Sequence, residues 1–225
     1  EELIRHDDHV LISTPATPWQ HIRQIGEDFS AGDMLLPSYS PLTPGALGTL
    51  VAGGVLTVSV LRRPTVTLIP TGDEIVAPDS DLLPGQIAEF NSTLFGSLLH
   101  SWGTVVKTTA IIPDRLDALQ QAVQVAADRS ELVLVLAGSS AGRDDYTTQV
   151  ISSLGDVCCH GLAIRPGKPA ILGRIGSVPV IGLPNYPVSG LVVLEEIVAP
   201  LLRRIYRLDI PVRPTVTAHL SRRLQ

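Results

Sequence analysis

The chain has 225 residues, of which 44% are hydrophobic and only 4% aromatic, and it carries a formal net charge of −5. That length suffices for one well-buried domain plus a smaller piece, with a core built on Val, Leu, Ile and Ala. The acidic balance, without a dense Lys/Arg cluster, argues against a dedicated nucleic-acid binder, and no apolar run reaches the roughly 18 residues of a membrane span.

Residues 1–63 are rich in turns, with strands expected at 10–12 and 55–61 and a short helix at 46–51. From Pro64 the pattern becomes an alternation of strand and helix. Residues 65–69 read as a buried strand ended by Pro70, and 91–102 as a helix with Leu94, Leu98 and Trp102 on one face. A strand at 105–112, a helix opened by Asp114, and the most apolar strand at 131–136 follow. Next come a helix at 144–154 closed by Gly155, and strands at 157–164, 170–175 and 178–183. A long helix spans 188–206, and 212–218 looks like the first strand of another unit. The expected fold is α/β, a doubly wound and mostly parallel sheet with added β-rich segments at the N-terminus. The pair 157–175 reads as an antiparallel hairpin attached to that sheet.

The sequence opens on Glu1-Glu2 rather than Met, so it reads as a fragment or a processed product. No signal peptide is visible, and the two cysteines are adjacent, too few for a disulfide framework. Cys158 and Cys159 read as small apolar residues on a strand, and the expected location is cytoplasmic.

In an open α/β sheet, ligands bind at the carboxyl ends of the strands. Four loops fall there: Thr71-Gly72-Asp73-Glu74, Pro113-Asp114, residues 138–145, and Pro184-Asn185-Tyr186-Pro187-Val188-Ser189. The third carries the strongest signal, because Gly138, Ser139, Ser140 and Gly142 are small enough for backbone N–H groups to reach a phosphate. Asp144 and Asp145 follow, and such acids can hold a metal ion that bridges the same anion. Plainer roles stay open. Asp73 and Glu74 suit a turn, Asp114 suits a helix N-cap with Asp117 three residues on, and Asp144 and Asp145 suit a helix dipole. Ser139 and Ser140 equally suit an ordinary loop, and neither has a neighbouring His to make it a hydrolase nucleophile. Arg165-Pro166-Gly167-Lys168-Pro169 is a stiff tip that could fix two cations on an oxyanion, or be a solvated turn. Taken together, these loops imply a phosphorylated ligand or nucleotide handled with Mg²⁺.

In this order the motifs resemble the molybdopterin molybdenumtransferase family (MoeA and the E domain of gephyrin). The matching pieces are Ile22-Arg23-Gln24-Ile25-Gly26-Glu27-Asp28, Pro70-Thr71-Gly72-Asp73-Glu74, Gly85-Gln86-Ile87 with Asn91, and Asp114. They continue through residues 138–146, Arg165-Pro166-Gly167-Lys168-Pro169, and Gly182-Leu183-Pro184 with Pro187-Val188-Ser189. The resemblance implies a molybdopterin-binding α/β domain at 64–207, a partial β-rich or linking segment at 1–63, and the start of a truncated C-terminal β domain at 208–225. It also implies insertion of molybdate into adenylylated molybdopterin, with release of AMP, by a cytoplasmic homodimer that needs Mg²⁺. Glu74, Asp114 and Asp145 match the family's acidic, metal-holding positions. Thr71, Gly72, Asp73, Gly138, Ser139, Ser140, Gly142, Arg165, Lys168, Pro184, Asn185 and Ser189 match its ligand loops.

The departures also fall in those loops. Ala137 replaces a family glycine, Gly161 aligns with a family lysine, Arg165 replaces a lysine, and Glu89 replaces an aspartate. Asn185-Tyr186 stands where the family has Gly-Asn. These changes motivate an alternative, a non-catalytic module that senses molybdopterin or molybdate, fused to another domain. A third reading, a structural interaction domain, has no residue of its own in support.

Overall fold

The computed structural model describes residues 3–137, 146–212, 214–219 and 221. It divides into two compact units, 1–59 and 60–225.

The smaller unit pairs β1 (Leu3–His6) with β2 (His9–Ile12) in an antiparallel hairpin. Asp7 at its turn has φ 47°, a left-handed conformation that Asp tolerates better than most residues. Helix α1 (Pro44–Ala52) starts where Thr43 accepts a hydrogen bond from the Ala46 N–H at 3.2 Å, with Pro44 in the first turn, where its missing N–H costs nothing. Trp19 is 66% exposed.

The larger unit is built on one sheet of six strands in the order β6-β3-β7-β10-β9-β8. Its members are β3 (Thr65–Pro70), β6 (Val105–Thr108), β7 (Leu132–Ala137), β8 (Asp156–His160), β9 (Ile171–Ile175) and β10 (Val178–Pro184). β6, β3, β7 and β10 run parallel, and β9 is antiparallel to both β10 and β8. The mostly parallel α/β sheet is therefore present, with the antiparallel extension at one edge. A two-stranded ladder of β4 (Ile75–Val76) and β5 (Ile87–Ala88) stands apart from it.

Side-chain alternation along the central strands builds two cores. Val66, Leu68, Leu132, Leu134, Ile181 and Leu183 face helices α2 (Asn91–Ser101), α5 (Pro187–Val193) and α6 (Ala199–Ile205). Ile69, Val133, Val135 and Val180 face α3 (Leu116–Ala127) and α4 (Tyr146–Leu154). Burial on both faces explains why these strands read as unbroken apolar runs rather than alternating ones.

Several elements differ from expectation. Residues 55–61 form no strand, and neither do the described residues beyond Ile205, because an apolar run becomes a strand only with an edge to pair on. The fully buried stripe of α2 is Phe95 and Leu99, with Leu94, Leu98 and Trp102 at its margin. The expected long helix at 188–206 contains a π-helical turn at Leu194–Val198. Pro200 lacks an N–H and its ring crowds the preceding turn, and the widened turn accommodates it. β8 stops at His160, since Gly161 turns the chain with φ 86°, and Cys158 is exposed beside an irregularity in the β8–β9 register. Among the described residues no helix is long and apolar enough to cross a membrane.

Candidate functional site

Register determines where the loops emerge. Pro70 pairs with Leu136, and Pro184 with Ala137, so the carboxyl ends of β3, β7 and β10 finish side by side. Ile171 pairs with Gly182 on one side and His160 on the other, so the β8–β9 loop carrying Arg165 and Lys168 leaves from the same edge. The β6 loop joins them through a bridge between Thr71 and Ile112.

The β3 and β6 loops are stitched together. The Gly72 N–H donates to the Ile112 carbonyl at 3.2 Å, and the Asp114 N–H to Asp73 Oδ1 at 3.0 Å. Gly72 has φ 138°, and a Cβ there would meet Glu74 Oε2 at 2.9 Å and Ile75 Cγ1 at 2.8 Å. Only glycine lets the Glu74 carboxylate fold so closely over the turn. The Thr71 hydroxyl donates to the Leu136 carbonyl at 3.1 Å, which leaves a ligand only its lone pairs.

Asp114 does not cap the helix. α3 begins at Leu116 with Arg115 before it, and no side chain caps that end. The Asp114 carboxyl is held above its ordinary value mainly by burial, with the charges of Asp73 and Glu74 adding to the effect and a hydrogen bond from the Asp73 backbone opposing it. The carboxylates of Asp73 and Glu74 are thus near enough to act on Asp114 from a second segment. Among the described residues no group of three or more His, Cys, Asp or Glu side chains is close enough to hold a metal ion. Asp145, the third expected ligand, lies outside the described residues, as do Gly138, Ser139, Ser140 and Gly142.

Beside the acids, a cleft of about 200 Å³ opens between the end of β3, the start of α2 and the start of α5. Glu74, Glu89, Phe90, Asn91, Asn185 and Tyr186 line it, with Thr71 and several aliphatic side chains. Asn91 is buried, and its Nδ2 donates to the Asn185 carbonyl and to Asn185 Oδ1, both at 2.8 Å. This clamp fixes the loop after β10. Pro184 is buried at the strand end and Ser189 is half-buried in the first turn of α5.

Arg165 and Lys168 are both exposed. Between them Gly167 is buried with φ 114°, where a Cβ would meet Ile164 Cδ1 at 2.9 Å and Val193 Cγ2 at 3.1 Å. The loop is thereby seated on α5 while its cations stay in solvent. The structure brings together Asp73, Glu74 and Asp114, and brings Thr71, Glu74 and Asn185 into one cleft. It sets Arg165 and Lys168 on a neighbouring loop of the same edge. The family resemblance marked Asn91 and Glu89 as motif positions, but the Asn91–Asn185 clamp and the place of Phe90 in the cleft were not read from sequence.

The comparisons agree with this architecture. The family described as "probable molybdopterin binding domain" matches residues 67–204. The chain is 35% identical over 223 residues to molybdopterin molybdenumtransferase 2 of Mycobacterium tuberculosis, covering 95% of this chain and 54% of that protein. It is 33% identical over 202 residues to molybdopterin molybdenumtransferase of Haemophilus influenzae, covering 90% of this chain and 50% of that protein. The crystal structure of a molybdopterin biosynthesis MoeA protein from Pyrococcus horikosii superposes with a TM-score of 0.76 at 34% identity, covering 92% of this chain and 51% of that one. The chain thus spans about half the length of the curated relatives it matches. With the sheet, its carboxyl-end rim and the matched segment in agreement, the chain belongs to the molybdopterin-binding domain family.

Proposed function

We propose that the protein containing this chain inserts molybdate into adenylylated molybdopterin and releases AMP, and that the rim at the strand ends is this chain's share of the site. The observation that carries this reading is the meeting of Asp73, Glu74 and Asp114 beside the Asn185 loop, on the edge that also bears Arg165 and Lys168. Molybdate and the phosphates of the pterin nucleotide are anions that repel each other. Arg165 and Lys168 offset that repulsion and hold the two in contact. On this reading Gly138, Ser139, Ser140 and Gly142 would supply backbone donors to phosphate, and Gly72, Pro184 and Ser189 belong to the ligand rim. Glu74, Asp114 and Asp145 would hold Mg²⁺. When bound, the ion neutralises charge on the anions it touches. On this reading the protein works in the cytoplasm, as a homodimer.

A second reading, a binding module without turnover, is favoured by Gly161. Its φ of 86° makes glycine the comfortable residue there, so the missing family lysine reflects a rebuilt turn rather than a single lost side chain. One experiment separates the two. AMP release from adenylylated molybdopterin is measured with molybdate and Mg²⁺ in the protein that contains this chain, alongside ligand affinity. The first reading expects AMP release that falls in Asp114→Asn and Lys168→Ala. Intact binding with no turnover in the unsubstituted protein would overturn it in favour of the second.

A further inference from the structure

The last turn of α6 and the segment after it line a second cavity, at the other end of the sheet from the rim. Trp102 closes α2 just before β6, and β6 starts level with Thr65, at the amino end of β3. Arg207, with φ 56°, ends α6 in a left-handed conformation. Its N–H donates to the Arg204 carbonyl at 3.1 Å, and the Leu208 N–H donates to the Arg203 carbonyl at 2.8 Å, a paired closure that turns the chain. Leu208 and Ile210 thereby line a cavity of about 400 Å³ together with Trp102, Pro200, Arg203 and Tyr206. That volume lies within the ~300–1,000 Å³ of small-molecule sites.

The polar groups of this cavity are unequally engaged. Arg203 is half-buried, and its hydrogen bond is a long one, from Nη1 to the Asp209 carbonyl at 3.4 Å. Among the described residues no carboxylate pairs with it. A guanidinium carries five N–H donors in a planar fork, so most of this fork lacks a protein acceptor. Tyr206 donates its hydroxyl proton to the Gly103 carbonyl at 2.7 Å, so it offers the cavity a ring rather than a donor. Burial pushes the Tyr206 hydroxyl up and the Arg63 charge opposes this, which sets a second cation near the ring. Glu195, in the π-helical turn, is the acid of the lining. Two helical turns separate it from Arg203, roughly 12 Å at the usual rise per residue.

We propose that this cavity binds a small organic monocarboxylate with a flat apolar body, its carboxylate on the Arg203 fork and its body against Trp102, Tyr206 and Leu208. The fork matches a carboxylate with two parallel charge-assisted hydrogen bonds. The two rings and the aliphatic wall bury the rest of the ligand. A second negative charge at the far end would meet Glu195, so the cavity discriminates against nucleotides and other polyanions. It differs in place and in ligand from the strand-end rim, and the inference does not rest on the reaction proposed there.

The test titrates 3-phenylpropionate, its neutral counterpart 3-phenylpropanol, and acetate by calorimetry into the protein that contains this chain. 3-Phenylpropionate should bind saturably. The alcohol lacks the charge and acetate lacks the body, so each should bind at least about tenfold more weakly. Arg203→Met removes the fork but keeps an apolar stem, and should weaken 3-phenylpropionate about tenfold or more. Arg203→Lys keeps the charge without the fork, and should fall between the two. Lys168→Ala, on the rim, should leave this affinity unchanged. Circular dichroism checks that both Arg203 variants keep the fold. Absence of saturable binding, equal binding of the alcohol or of acetate, or an affinity unchanged in Arg203→Met overturns the inference. A loss seen in Lys168→Ala overturns it too, because the probe would then sit on the rim.

Discussion

Gly190→Ala tests how the fold holds the cleft open. Gly190 is buried in α5, and a Cβ there would fall 2.3 Å from Phe95 Cζ and 3.0 Å and 3.1 Å from two further ring carbons. Non-bonded carbons settle about 3.5–4.0 Å apart, so the added methyl overlaps the ring by more than about 1 Å. Phe95 is fully buried in α2 and cannot swing into solvent, so the two helices must separate. Overpacking of this kind costs about 1–3 kcal/mol, while alanine returns about 1 kcal/mol of helix propensity over glycine. The net loss is up to about 2 kcal/mol, or up to about 8 °C in Tm for a unit of this size. The displaced α5 would also stretch the Asn91–Asn185 clamp at its N-terminal end. Thermal unfolding of Gly190→Ala, Phe95→Leu and the double variant measures the coupling. In the Phe95→Leu background the ring is gone, so Gly190→Ala should be neutral or stabilising. A Tm that rises in Gly190→Ala alone, or an equal penalty in both backgrounds, would refute the reasoning.

Three further outcomes follow from the site and its supports. Gly72→Ala forces a left-handed φ on a residue with a Cβ and pushes against the Glu74 carboxylate, so it should weaken Mg²⁺ binding by calorimetry and lower Tm. Asp114 has its folded pKa raised above the usual 3.8, so its ionised form costs stability at neutral pH and that cost disappears as pH falls below the ordinary value. Asp114→Asn should therefore raise Tm at pH 7, with the gain vanishing in acid, a pattern read from Tm against pH. Burial pushes the Glu131 carboxyl up, but the Thr65 N–H and Arg62 outweigh it and hold it below the ordinary value. Glu131→Gln should cost on the order of 1 kcal/mol by denaturant unfolding at neutral pH, an effect that fades as pH falls through the depressed folded pKa.

The central sheet was legible because burial on both faces leaves long apolar runs such as Leu132–Ala137, which no surface element needs. The rim loops were legible too, since glycine and acids at strand ends stand out against that background. What could not be read depends on contacts between distant residues. Asn91 and Asn185 are 94 positions apart, and nothing local marks one as the clamp of the other. Residues 55–61 have strand-like composition, yet a strand needs a partner that composition cannot supply. Asp114 matched a cap by spacing, but α3 starts two residues later, and the acid instead lies by Asp73 and Glu74, where the loops after β3 and β6 meet. The offset between Leu94–Leu98 and the buried Phe95–Leu99 stripe has a similar origin, because α2 turns toward Gly190 to let the Phe95 ring in.

The central claim is that the ligand sits at the carboxyl ends of β3, β7 and β10. A crystal structure of this chain bound to adenylylated molybdopterin tests it most directly. The account predicts ligand density along that edge, with a phosphate toward Lys168. Density instead in the groove formed by Trp102, Arg203 and Tyr206, away from the strand ends, would contradict it.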